Sequence, residues 1–201
     1  MTEGPEKVKR TKGFTIIELL IVLTMLAIVI TVGAPSFSYF IRENRLKNTT
    51  RQVAVSFQTA RLKAINSNRR CFIDFAPGGL APADSFYTIW LDVNGNMTLD
   101  AGEIDSTGLA IPDMKSNIRG WRLSRDSRFG AGSVTEGPEG RTVTADGVDF
   151  GGADRVGFNS RGEATSGGAV YVTGSSGSTY AVTVGNLGSV RTWRWEGNQW
   201  K

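Results

Sequence analysis

Residues 9–37 read KRTKGFTIIELLIVLTMLAIVITVGAPSF, and the reading of this stretch decides the fold. From Phe14 to Ala34 every residue except Glu18 is apolar, small or a threonine. About 20 residues of α-helix, rising 1.5 Å each, cross the roughly 30 Å hydrocarbon core of a bilayer. The run is long enough to span, and long for the apolar region of a cleaved secretory signal. Lys9, Arg10 and Lys12 stand just before it, which keeps the N-terminus cytoplasmic and exports the rest. Small residues in TVGAPS offer a signal-peptidase site, but the proline directly after Ala34 disfavours it. Glu18 is the anomaly. A carboxylate inside a membrane helix costs about 2.5 kcal/mol or more, so it is normally paired or functional. A secretory signal, a plain anchor and a buried core helix all leave it unexplained.

The chain has 201 residues, 40% hydrophobic and 21% charged, which suits one ordinary domain attached to an anchor. The formal net charge is +4, but Lys7, Lys9, Arg10 and Lys12 against Glu3 and Glu6 place half of it ahead of residue 14. The remainder is close to balanced, so net charge is weak ground for nucleic-acid binding. One cysteine and no histidine exclude an internal disulfide, Ser–His and Cys–His nucleophiles, and zinc sites built on imidazole. Cys71 opens a strand and reads as a small buried apolar residue. An enzyme is not expected.

The arrangement KGFTIIELL, residues 12–20, resembles the class III signal of type IV prepilins and pseudopilins. The resemblance implies that a prepilin peptidase cuts between Gly13 and Phe14 and methylates the new amine of Phe14. Glu18 then becomes the fifth residue of the mature chain. There it neutralises an N-terminal ammonium, in the family often that of a neighbouring subunit, and so helps to set assembly register.

Pro35 is expected to kink the helix, with Gly33 loosening it. Helical spacing resumes at Leu46, Val53, Phe57, Ala60 and Ala64, with Arg45, Arg51, Arg61 and Lys63 largely off that stripe. The prediction is a helix over 14–67, membrane-spanning to about 34 and amphipathic beyond, on the order of 80 Å long. From residue 68 to 201 the texture becomes short β-like runs between Gly, Ser, Asn and Asp. CFIDF, FYTIWLD, DRVGFN, GAVYVTG, TYAVTVG and SVRTWRW read as strands, the last three as consecutive hairpins. Between about Ser106 and Gly147 only GWRLS and RTVTA suggest weak strands in a long loop-bearing region. The fold class is therefore α+β. Residues 1–13 form a cleaved leader, and the long helix packs on a β-rich antiparallel head.

Two further stretches, FNSRGEATSGGAVYVTG and ARLKAINSNRRCFIDF, extend the resemblance to the GspH/FimT family of minor pseudopilins and minor pilins. That family implies a type IV pilin-like fold. It places the chain in the inner membrane, with a periplasmic head that later joins a periplasmic or cell-surface filament. Its partners would be the prepilin peptidase, other major and minor pilins or pseudopilins, and a secreted passenger or DNA.

Two constellations beyond the N-terminus could bind something. DVNGNMTLDAGE sets oxygen-bearing residues at calcium-loop positions: Asp92, Asn94, Asn96, Thr98, Asp100 and Glu103. Met97 stands where that loop needs a glycine, and a strand precedes it, so a polar turn around NGN is the competing reading. GSVRTWRWEGNQWK mixes Arg191, Arg194 and Lys201 with Trp193, Trp195 and Trp200, which could hold phosphates and stack bases. Alternation puts Arg191, Trp193 and Trp195 on one face and Arg194 on the other. The competing reading is a last core strand whose tryptophans pack on the helix. DNA-capturing minor pilins carry a Gly-Arg-x-Arg tail, from which GSVRTWR departs in spacing. Arg161–Gly162 marks a turn, and Arg69 and Arg70 are isolated surface charges. The expected function is a minor subunit of a type II secretion pseudopilus or a type IV pilus, the alternative a DNA-binding minor pilin for natural transformation.

Overall fold

One long helix precedes every strand. In the computed structural model, which describes residues 13–75, 86–100, 102–103, 109–110 and 119–201, α1 runs Ile16–Ser67. The leader cations Lys7, Lys9, Arg10 and Lys12 and the side chains of Gly33 and Pro35 lie outside the described residues. Helical backbone continues through Pro35 without a break. The chain forms two compact units, Met1–Phe40 and Ile41–Lys201, and α1 contributes to both.

In the first unit the helix carries its apolar residues outward on every side, from Ile21 at 47% exposed to Ile16 at 84%. It is long and apolar enough to cross a membrane, with a mean hydropathy of 2.7 in its most apolar window. Two hydroxyls in this run bond back to the helix itself, Thr24 to the Ile21 carbonyl and Thr31 to that of Ala27. Neither leaves a polar group looking for water, which is what lipid demands.

In the second unit α1 turns Leu46, Val53, Phe57, Ala60 and Ala64 inward, all buried as their spacing requires. They face two antiparallel sheets. The first joins β1 (Arg70–Asp74), β2 (Phe86–Asp92), β3 (Leu109–Ala110), β4 (Arg119–Arg122) and β7 (Arg155–Phe158) in the order β3-β4-β2-β1-β7. The second runs β10-β9-β8-β5, from β5 (Ser127–Phe129), β8 (Gly168–Gly174), β9 (Thr179–Val184) and β10 (Val190–Arg194). A short β6 (Val148–Asp149) also pairs with β8. Phe75 binds the two sheets and the helix together: its ring lies 5.9 Å from Phe57, 5.8 Å from Tyr87, 5.3 Å from Phe129 and 6.0 Å from Phe150.

Sheet two is covered on both faces. Val170, Val172, Tyr180, Val182 and Val184 join the helix-side core, while Ala169, Tyr171 and Ala181 join Ala131 and Val134 in a second, smaller core. Period-2 alternation thus meets apolar partners on each side, so β8 and β9 are buried at every position. The first three residues of GWRLS lie in β4, while Leu123 and Ser124 fall outside it, and RTVTA makes no strand. It follows a 3-10 turn at Pro138–Gly140, and its Thr144 hydroxyl bonds to the Val148 carbonyl, holding the segment as a covering loop.

Candidate functional site

At the start of α1, Thr15 and Glu18 form a reciprocal cap. The Glu18 amide donates to Thr15 Oγ1 at 3.3 Å, while the Thr15 amide and hydroxyl donate to Glu18 Oε2 at 3.2 and 3.1 Å. This is the capping box T-x-x-E, in which two donors orphaned at a helix start are satisfied by side chains. Negative charge there also complements the helix dipole. The spacing was legible in FTIIE, and it supplies a local reason for Glu18 that the membrane argument missed. Glu18 and Phe14 are both exposed, and among the described residues nothing stands within 4 Å of a Cβ added at Gly13.

The 92–103 loop closes on its own donors. Asp92 Oδ1 accepts from the Gly95 amide at 2.7 Å and its Oδ2 from the Met97 amide at 3.3 Å. The Asn94 and Asn96 side-chain amides both donate to Asp100 Oδ2 at 2.7 Å, holding that carboxyl below its usual pKa. Thr98 enters through its backbone amide, which donates to Asn96 Oδ1. Glu103 accepts from the Val93 amide at 2.7 Å and the Asp100 amide at 3.1 Å. Met97 adopts φ +59°, the left-handed turn that glycine would otherwise provide. So the residues expected to ligate calcium staple the loop. Among the described residues no group of three or more acidic, histidine or cysteine side chains converges to hold a metal ion.

The C-terminal strand alternates as expected, with Arg191, Trp193 and Trp195 on one face and Arg194 on the other, but its tryptophans cover a different surface. Trp193 and Trp195 do share a face, but it is the face away from the helix, where they pack with Trp200 on Tyr171 and Ala181. The tryptophans therefore do not pack on α1. Trp195 and Trp200 pair across a terminal hairpin, with ring centroids 5.2 Å apart, and Trp200 donates its indole N–H to the Glu136 carbonyl. Arg191, on that far face, meets Glu139 at 2.6 Å. Arg194 points to the helix side and lies 3.7 Å from Glu43, which also accepts from the Tyr180 hydroxyl at 3.0 Å and the Ser176 hydroxyl at 3.3 Å. Lys201 pairs with Glu196 at 2.6 Å. The three cations expected to hold phosphate are thus split across two faces, each beside a carboxylate. Glu43 and Glu139 come from segments far away in sequence, and no local signal announced them.

Arg161–Gly162 is a structural turn, as expected. The Gly162 carbonyl accepts from Arg61 Nε at 2.9 Å. Arg69 donates to the Val93 carbonyl at 2.7 Å, and Cys71 is fully buried.

Comparison with known families matches residues 49–188 to the family described as type II transport protein GspH. Residues 8–34 match the prokaryotic N-terminal methylation motif. Among solved structures, the type IV minor pilin FimU of Pseudomonas aeruginosa aligns with a TM-score of 0.46 at 10% identity, over 81% of this chain and 96% of that one. The minor pseudopilin EpsH of the type 2 secretion system of Vibrio cholerae aligns with a TM-score of 0.44 at 12% identity, over 74% and 95%. A comparison with curated protein sequences gives no match. With the family match spanning well over half of its length and the methylation motif at its N-terminus, the chain belongs to the GspH family of minor pilins and pseudopilins.

Proposed function

We propose that the chain is made as a precursor anchored in the inner membrane, its N-terminus cytoplasmic and its head periplasmic. It is then cut between Gly13 and Phe14, methylated on the Phe14 amine, and built as a non-enzymatic minor subunit into a type II secretion pseudopilus or a type IV pilus. The observation that carries this reading is the environment of Glu18. Cutting at Gly13 creates an ammonium one residue before Thr15, whose amide already lies 3.2 Å from the Glu18 carboxylate. That carboxylate is exposed and sits at the head of an apolar helix, where an unpaired charge is costly and a partner of opposite sign offsets it. The exposed apolar side chains of Ile16–Ile30 need cover, lipid before assembly and neighbouring subunit helices afterwards. Prepilin peptidase and other pilin-like subunits are the partners this chemistry requires.

Intact mass and N-terminal sequencing of protein taken from membranes test the reading. A chain beginning at methylated Phe14 is expected, and one beginning at Met1 or Pro35 overturns it. Glu18→Gln keeps an oxygen for the cap but removes the charge. It should be cut normally yet enter filaments at a tenth or less of the wild-type level. Normal incorporation would remove the charge-pairing account.

A further inference from the structure

Strand β10 lies at the edge of sheet two, and its register with β9 shows which of its backbone groups are spoken for. Trp195 donates to the Thr179 carbonyl and Gly185 to that of Ser189, so 191, 193 and 195 bond inward to β9. The amides and carbonyls of 190, 192 and 194 face outward. Arg194 exchanges both its bonds with Lys201 of the terminal hairpin. Among the described residues, the outward groups of Val190 and Thr192 meet no backbone partner.

Two grooves flank this open edge, both formed with α1. At the Arg194 end a cavity of about 330 Å³ is lined by Lys47, Arg51, Thr192, Arg194 and Lys201, among others. Arg194 and Lys201 have Glu43 and Glu196 as partners, but Lys47 and Arg51 make no ion pair among the described residues. At the Val190 end a cavity of about 390 Å³ is lined by Leu62, Ile65 and Val190 with Gln58, Ser189 and Arg61, whose Nε is held by the Gly162 carbonyl. Leu62 is 58% exposed and Ile65 40%, large apolar groups on the outer face of α1 beside this edge.

We propose that the β10 edge receives an extended segment of another protein chain, added antiparallel as a further strand. Main-chain bonds to Val190 and Thr192 supply the pairing, and the flanking grooves supply selectivity. Because β10 runs from its apolar end to its basic end, the incoming strand presents acidic residues first and aliphatic ones after them, on alternate positions. The two free cations also blunt the edge against indiscriminate pairing, since only an acidic strand lies down beside them comfortably. This assigns the head a partner surface that the filament reading does not specify, and it stands or falls separately from the fate of Gly13 and Glu18.

The test uses the full-length protein in detergent micelles and fluorescein-labelled Glu-Thr-Glu-Thr-Val-Thr-Val, read by polarisation. Saturable binding is expected, and the peptide of reversed order should bind at least tenfold more weakly. Thr192→Pro removes an outward amide without touching the β9 pairing, so it should abolish binding while the melting temperature holds. Lys47→Glu with Arg51→Glu, two exposed positions that fold regardless, should weaken binding about tenfold. Equal binding of both peptides, or binding indifferent to both variants, overturns the proposal. So does binding of a twelve-nucleotide oligothymidylate with none of the peptide, which would assign the edge to nucleic acid.

Discussion

Glu18 and Glu103 show how a carboxylate that looks functional in sequence can first serve the backbone. Glu18 closes the capping box with Thr15, so its cap and its charge are separable. Thr15→Val removes the hydroxyl and keeps the charge. The loss of a cap costs about 1 kcal/mol, which should speed amide exchange at Ile16–Leu19 roughly fivefold in micelles. Unchanged exchange would mean that the box does not hold the helix start. Glu103 is buried and gives each oxygen to one backbone amide. Glu103→Ala leaves both donors without a partner, and a loss of about 2–3 kcal/mol in urea unfolding is expected. A loss under 0.5 kcal/mol would show the loop to be held elsewhere. Because the Asn94 and Asn96 side-chain amides turn their N–H groups toward Asp100, the wild-type protein should melt at the same temperature in EGTA and in millimolar calcium. A rise of several degrees in calcium would mean that Asn94 and Asn96 turn their amide oxygens toward a cation.

At the scale of elements, the end of α1 is clipped to two turns. Arg61 Nε donates to the Gly162 carbonyl, and Gly188 packs against that same carbonyl from the β9–β10 turn. A Cβ on Gly188 would stand 2.0 Å from the Gly162 oxygen, at φ +77°. Gly188→Ala must therefore move backbone as well as adopt a strained conformation, and a cost of about 2–3 kcal/mol is expected. At Gly162, φ +80°, the added Cβ would stand 2.8 Å from Arg61 Nε and from Ile65 Cδ1, side-chain atoms that can shift while the backbone stays in place. Gly162→Ala should cost about 1 kcal/mol, and parallel urea titrations compare the two. Equal losses would show that backbone strain alone matters at these turns. The helix spacing and most strands could be read directly, because burial on one face imposes a period. RTVTA misled because its Val143 packs over the second core, which buries an apolar residue without a strand ladder.

Across the whole molecule, two fully buried tyrosines set an alkaline limit. Burial pushes Tyr87, hydrogen-bonded to Ser56 at 2.8 Å, up to about 12, and Tyr171 likewise. Both phenols ionise near 10 in the unfolded chain, so folding keeps a proton that the unfolded state has lost. Their contribution is complete below pH 10 and is lost as pH rises from 10 to 12, about 2 kcal/mol for each. The urea midpoint should fall between pH 9 and pH 11, and Tyr87→Phe should reduce the fall. A midpoint independent of pH over that range would contradict the burial argument. By itself the sequence determined the apolar helix, the processing motif, the helical stripe and the hairpin strands, because each is written in spacing along a contiguous stretch. Only the tertiary structure decided where Glu43 and Glu139 stand, which face of sheet two the tryptophans cover, and which edge stays open. Those depend on residues from distant segments meeting across two layers, and spacing along the chain carries no record of that.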